Sequence, residues 1–200
     1  MATLSTMGTQ KTSTPRNKPR GREAVIEAIL QAGAALFAER GPGASSNREI
    51  AERAGVNYGL IHRHFGSRDD LVRAVMTRMA ADFRTTLEEA IGQGQSPLQA
   101  ASEHPAYARA LARAALDGVD LTTVQDENPT IGALLEIVAA ARPSGELSVD
   151  DRVVIAMISA SVLGWAVFGD FLGDAVGLDD AGDVDVAERI ETMVTQLLSD

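Results

Sequence analysis

The stretch from Ser46 to Asp70 packs several helix starts and a helix stop into very little chain, and this most limits what the protein can become. Ser46-Asn47-Arg48-Glu49 has the form of a capping box, in which Ser46 caps a new helix and Glu49 reaches back to the cap amide. Gly55 ends that helix after Ala54, so it is short. Asn57 suits the cap of a third helix running from Tyr58 to about His64, and Ser67-Arg68-Asp69-Asp70 opens a fourth in the same way. Two short helices can cross at a steep angle only if the turn between them is tight and the contact residues are small. Ala51 is small where the second helix must approach, and Gly55 tolerates the positive φ such a turn demands. Ile50, Val56 and Ile61 are then in register to form a small core with Ile29, Leu36 and Phe37.

The rest of the chain also has a helical pattern. From Arg22 to Arg40, Val25, Ile26, Ile29, Leu36 and Phe37 recur at helical spacing, and Gly41-Pro42-Gly43 stops the run. The fourth helix carries a stripe of Leu71, Val72, Val75, Met76, Met79, Phe83 and Leu87 to about Ile91. Helical segments are expected at roughly 98–117, 129–141, 149–172 and 184–199, separated by Pro- and Gly-containing or acidic stretches. Aromatic residues are only 4% of the chain and alanine is abundant, which favours helices over strands. The expectation is an all-α protein of about nine helices. Residues 1–20 form a basic arm expected to be disordered, 21–67 a three-helix head with a helix-turn-helix, and 68–200 a helical body.

Composition excludes several functions. With no cysteine there is no disulfide framework, thiolate metal site or cysteine nucleophile. Three scattered histidines, without a Gly-rich phosphate loop or a nucleophile elbow, give no support for an enzyme. No cofactor is expected. His62 and His64 lie two apart on a helix and point to different sides, so no metal site is expected either. The N-terminus lacks an apolar run of signal-peptide length, consistent with a cytoplasmic protein. The net charge of −10 argues at first against nucleic acid, but the way the charge is distributed argues for it. Residues 1–68 hold ten Lys/Arg against five Asp/Glu, and the remainder eight against twenty-three. A basic head on an acidic body can face phosphates while the body is kept off them.

Three segments, ILQAGAALFAERG from Ile29, REIAERAGVN from Arg48 and IHRHFGSRDDL from Ile61, resemble the N-terminal domain of tetracycline-repressor (TetR) family regulators. The resemblance covers about residues 22–72. It implies a long fourth helix leading into a divergent effector domain, and a dimer built from the last two helices. On DNA the recognition helix, capped by Asn57, would enter the major groove N-terminus first, with Tyr58, Gly59 and Leu60 near base edges. By resemblance Arg48 reads a base, Asn47, His62, His64 and Arg68 hold phosphates, and Arg63 is placed to add a contact. The family usually has tyrosine where His62 stands, so operator affinity is expected to rise as pH falls from about 7.5 to 6. Lys11, Arg16, Lys18 and Arg20 either serve solubility or form a minor-groove arm.

In the body, VVIAMISASVLGWAVF (Val153–Phe168) is too apolar to be covered on one side only, yet short for a membrane span and flanked by charge. Its small residues Ala156, Ala160 and Gly164 would let a second subunit approach. With Ile190, Met193, Val194 and Leu197 of the final segment they are the expected two-fold interface. Two recognition helices would then lie about one DNA turn apart on a near-palindromic operator. Family members often bind a small, largely apolar effector that releases DNA; Phe83, Tyr107, Trp165 and Phe168 are the candidate lining here, or are plain core. His104 is followed by Pro105 and expected near a helix start. The resulting expectation is a ligand-responsive repressor; the rival is a helical interaction protein whose helix-turn-helix is vestigial.

Overall fold

A computed structural model of the chain describes residues 19–95, 97–124 and 129–178, together with 189, 192, 193 and 196. Among the described residues nine helices follow in order: α1 (Arg22–Arg40), α2 (Asn47–Ala54), α3 (Tyr58–Phe65), α4 (Arg68–Gly92), α5 (Pro97–Glu103), α6 (Ala106–Leu116), α7 (Leu121–Val124), α8 (Pro129–Ala141) and α9 (Val149–Ala175). The protein is all-α.

The local signals act as their chemistry dictates. At α2, Glu49 N–H donates to Ser46 Oγ at 3.2 Å while Ser46 N–H donates to Glu49 Oε2 at 2.9 Å. Asn57 Oδ1 accepts from Gly59 N–H at 2.9 Å, and Ser67 and Asp70 exchange the same pair of bonds at the start of α4. Gly55 closes α2 in the left-handed region, at φ 70° and ψ 29°. These bonds satisfy the amides that every helix N-terminus leaves without an intrahelical partner.

The head is not closed off from the body. Ile29, Leu36 and Phe37 of α1, Ile50 and Ala51 of α2 and Ile61 of α3 pack with Leu71, Val75, Met76 and Phe83 of α4 in one core. That core continues into Tyr107 and Ala110 of α6. Gly33 is required here by close approach: a Cβ at that position would lie 2.6 Å from a methyl of Val75. At the surface Arg78 of α4 ties α1 to α4 through Glu27, at 2.6 Å, and also bonds Asp82.

The body departs from the expected segments in two places. The helix expected over 98–117 is broken at His104-Pro105. Proline has no amide to donate, and its ring pushes the preceding residue out of the helical region. α5 therefore ends at Glu103, and α6 starts anew beyond Pro105, whose carbonyl accepts from Arg109 N–H at 2.9 Å. A short helix not expected from the sequence, α7, follows Asp120, whose carboxylate accepts from Thr122 N–H at 3.0 Å. Of the expected helix 184–199, only Arg189, Thr192, Met193 and Gln196 are described, all helical, and Met193 is exposed. Ile190, Val194 and Leu197 lie outside the described residues, as do residues 1–18 of the arm.

Helix α9 is longer than its apolar run. It spans 27 residues, and a window of mean hydropathy 1.8 makes it long and apolar enough to cross a membrane by length and composition. Only 11% of that window is buried. Ser148 and Asp151 start it with another capping box, and Asp151 also accepts from Arg142.

Candidate DNA-recognition interface

Arg48 stands at the start of α2, Tyr58 at the start of α3 and Arg63 in the last turn of α3. All three are solvent-exposed, Tyr58 at 57%, and Arg48 and Arg63 have no ion pair among the described residues. Arg48 stands one residue into α2, next to the capping box, so a short rigid helix start aims it. Arg48 and Tyr58 line one concavity with Pro42, Gly43, Ser45, Ser46, Asn47 and Arg68, which joins the start of α2 to the start of α3. Asn57 and Gly59 are exposed beside Tyr58. Leu60 points the other way: it is half-buried and packs against the core. His64 is half-buried at the end of α3.

Arg68 and Asn47 are half-buried and bonded to each other. The Arg68 guanidinium lies over the Phe37 ring, 5.6 Å from its centroid. It donates to the Pro42 and Ser45 carbonyls at 2.6 Å each and to Asn47 Oδ1 at 2.7 Å. Burial lowers its pKa, opposed by Asp69, but an arginine remains charged throughout the ordinary pH range.

His62 is exposed, with Nδ1 2.6 Å from the Gly66 carbonyl oxygen. A carbonyl can only accept, so Nδ1 carries a proton. In the neutral ring Nε2 is then an acceptor and has nothing to donate to a phosphate. Protonation adds both the donor and the charge.

Glu49 is the most strongly perturbed acid of the head. The Ser46 amide and hydroxyl bond its carboxylate, and Arg40 lies 2.8 Å away; together they lower its pKa to about 2. It stays ionised and serves the cap rather than the solvent face. Ser45, which no local sequence pattern marks, is 2% exposed and donates to the Gly41 carbonyl at 2.7 Å. It fastens the loop that leads into α2.

The candidate effector residues divide into two places. Phe83 and Tyr107 meet, with ring centroids 5.3 Å apart, and line a groove of about 290 Å³ with Ala34, Ala38, Met79 and His104, between α1, α4 and α6. Trp165 and Phe168 do not join them. The Trp165 ring lies over Gly169 of its own helix, and Phe168 is 57% exposed on α9.

Short capped helices joined by a left-handed glycine, with Arg48 and Tyr58 exposed at their N-termini, define a helix-turn-helix DNA-binding protein. Residues 29–75 match the model of bacterial regulatory proteins of the tetR family. The HTH-type transcriptional repressor Rv3405c of Mycobacterium tuberculosis is 36% identical over 192 residues, covering 96% of this chain and 98% of the relative. The HTH-type transcriptional repressor KstR2 of Rhodococcus jostii is 30% identical over 83 residues, 42% of this chain and 41% of that protein. Among solved structures, HlyIIR, a hemolysin II transcriptional regulator, shares the fold with a TM-score of 0.50 at 21% identity, over 90% of this chain and 97% of that one. The chain belongs to the tetR family of bacterial transcriptional regulators, which are DNA-binding proteins and not enzymes.

Proposed function

We propose that this protein is a dimeric repressor that reads a near-palindromic operator and releases it when a small apolar effector binds. The observation that carries the DNA-reading half is the concavity that exposed Arg48 and Tyr58 share on a basic head, with Arg63 exposed further along α3. Arg48 matches guanine O6 and N7 in geometry, Tyr58 can lie against a thymine methyl, and Arg63 supplies phosphate attraction. A relative named as a repressor, aligned over nearly the whole chain, supports repression as the outcome.

The dimer reading rests on α9. Val149, Val153, Met157, Ala160, Gly164 and Phe168 follow at intervals of three and four, which puts them on one helix face. Val149, Val153, Met157 and Phe168 are each more than half exposed, and Ala156 and Ala160 are exposed beside them. A row of exposed apolar side chains this long fits a self-complementary interface between two copies, where Gly164 and the alanines permit close approach. The exposed acidic residues Asp150 at its start and Asp170 within it suit water or a second subunit better than lipid. In this reading the protein works in the cytoplasm. Phe83 and Tyr107, at the groove between head and body, are the better effector candidates, and Phe168 belongs to the dimer face.

A gel shift on the DNA upstream of the protein's own coding sequence, at low and high salt, tests this reading. Specific, salt-sensitive retardation with a two-fold symmetric footprint is the expected result. Binding that is no stronger than to a scrambled duplex would leave a helical interaction protein in its place.

A further inference from the structure

The last turn of α1 and the loop that joins it to α2 are held from the body at points that do not belong to the DNA-facing set. Asp117, just past the end of α6, accepts from Gly43 N–H at 3.1 Å. Arg113, in the last turn of α6, donates to the Ala38 carbonyl at 2.5 Å. The glycines show how close the contact is. A Cβ at Gly43 would collide with Asp117 Oδ2, and one at Gly41 would fall 2.8 Å from Arg113 Cβ. From the α4 side Arg68 holds the carbonyls of Pro42 and Ser45 in the same loop. The loop leads directly into Ser46, the cap of α2, and so into Asn47 and Arg48.

We propose that Asp117 and Arg113 are positioning residues for operator recognition: they fix the end of α1 and the loop that aims Arg48 and touch no DNA themselves. The proposal rests on Arg48 reading a base. A base-edge contact needs both hydrogen bonds in line, whereas a phosphate is met by a cation over a wide range of positions. A loop released by an ångström therefore costs specific affinity and leaves non-specific affinity nearly unchanged. The residue pairs are far apart in sequence, Asp117 and Gly43 by 74 positions, so the body of the protein sets the aim of the head.

The test uses the full-length protein, with its own upstream DNA and a scrambled duplex of equal length, at about 50 and 200 mM salt. Asp117→Ala should weaken specific binding about three- to tenfold, the range for losing one charge-assisted bond at a partly exposed site. Non-specific binding and the salt slope should hold. Asp117→Asn keeps an acceptor for the Gly43 amide and should bind like the parent. Gly43→Ala, whose Cβ displaces the Asp117 carboxylate, should reproduce the Asp117→Ala loss, and the double variant should be no worse than either single one. Equal loss of specific and non-specific binding, a salt slope reduced by about one unit, or additive single effects would overturn the proposal. Arg48→Ala separates base reading from positioning. If it retains specific binding, base reading by Arg48 fails and the proposal falls with it. If it loses specific binding while Asp117→Ala does not, only the positioning role falls.

Discussion

The head and the body each begin a helix with the same device and then use it for opposite ends. Ser46 and Glu49 open α2 with Arg40 alongside; Ser148 and Asp151 open α9 with Arg142 alongside. Both carboxylates are held near pKa 2, Glu49 first by its serine and Asp151 first by its arginine. Beyond the cap the two helices diverge. Helix α2 turns Ile50 and Ala51 into the core and keeps Arg48 outside, so within its chain its apolar face is fully used. Helix α9 buries Ile155 and Ala166 but leaves Val153, Met157 and Phe168 in the open. Identical start signals say where a helix begins and nothing about whether one chain is enough to cover it.

The largest test of that contrast compares two phenylalanines. Phe37 is fully buried and also carries the Arg68 guanidinium, so Phe37→Ala should cost about 3–5 kcal/mol of unfolding free energy. Phe168→Ala should leave the unfolding of an isolated subunit within about 0.5 kcal/mol and instead weaken the proposed dimer, read by sedimentation at falling protein concentration. Equal destabilisation of the monomer by both changes would mean that α9 is an ordinary core helix. Next come the caps. Ser46→Ala and Ser148→Ala should each cost about 1 kcal/mol in chemical denaturation, since each removes one side-chain acceptor for an otherwise unpaired amide. A loss of operator binding beyond that stability cost is expected from Ser46→Ala alone.

The acids sharpen the same comparison with pH. The folded-state pKa of Asp151 is depressed to about 2, below the roughly 3.9 of an unfolded aspartate. Its contribution is therefore fully present above about pH 4 and is lost as pH falls toward 2. Melting temperatures of the parent and of Asp151→Asn should differ at pH 6 and converge near pH 2; a gap that persists there would refute the linkage. Glu49→Gln should behave likewise in the head. The smallest effect concerns His62. His62→Phe removes the Nδ1 bond to the Gly66 carbonyl and should change operator affinity by no more than a few-fold in a gel shift; a loss as large as that of Arg48→Ala would contradict so minor a part.

Much of the head was legible because its determinants are local. Ser46 and Glu49, Asn57 and Gly59, and Ser67 and Asp70 are two or three residues apart, so each cap could be recognised without knowing the fold. The intrachain bonds of Arg68 were not legible in the same way. As a cation in the first turn of a helix it suggested a phosphate ligand; within the chain its acceptors lie 21 to 26 residues back. The break at Pro105 was available in the sequence but masked by helical spacing on both sides, and α7 depends on a single Asp120 cap.

What the sequence alone determined is where helices start and stop, which faces are apolar, and that a helix-turn-helix lies between Ser46 and Phe65. Those properties depend on backbone amides, φ preferences and periodicity, which act over a few residues. Tertiary structure alone decided that Phe83 meets Tyr107 while Phe168 faces out, and that the guanidinium of Arg68 turns inward. It also decided that Asp117 reaches Gly43. Such contacts join segments far apart along the chain, and only the packing of helices on one shared core brings them within bonding distance.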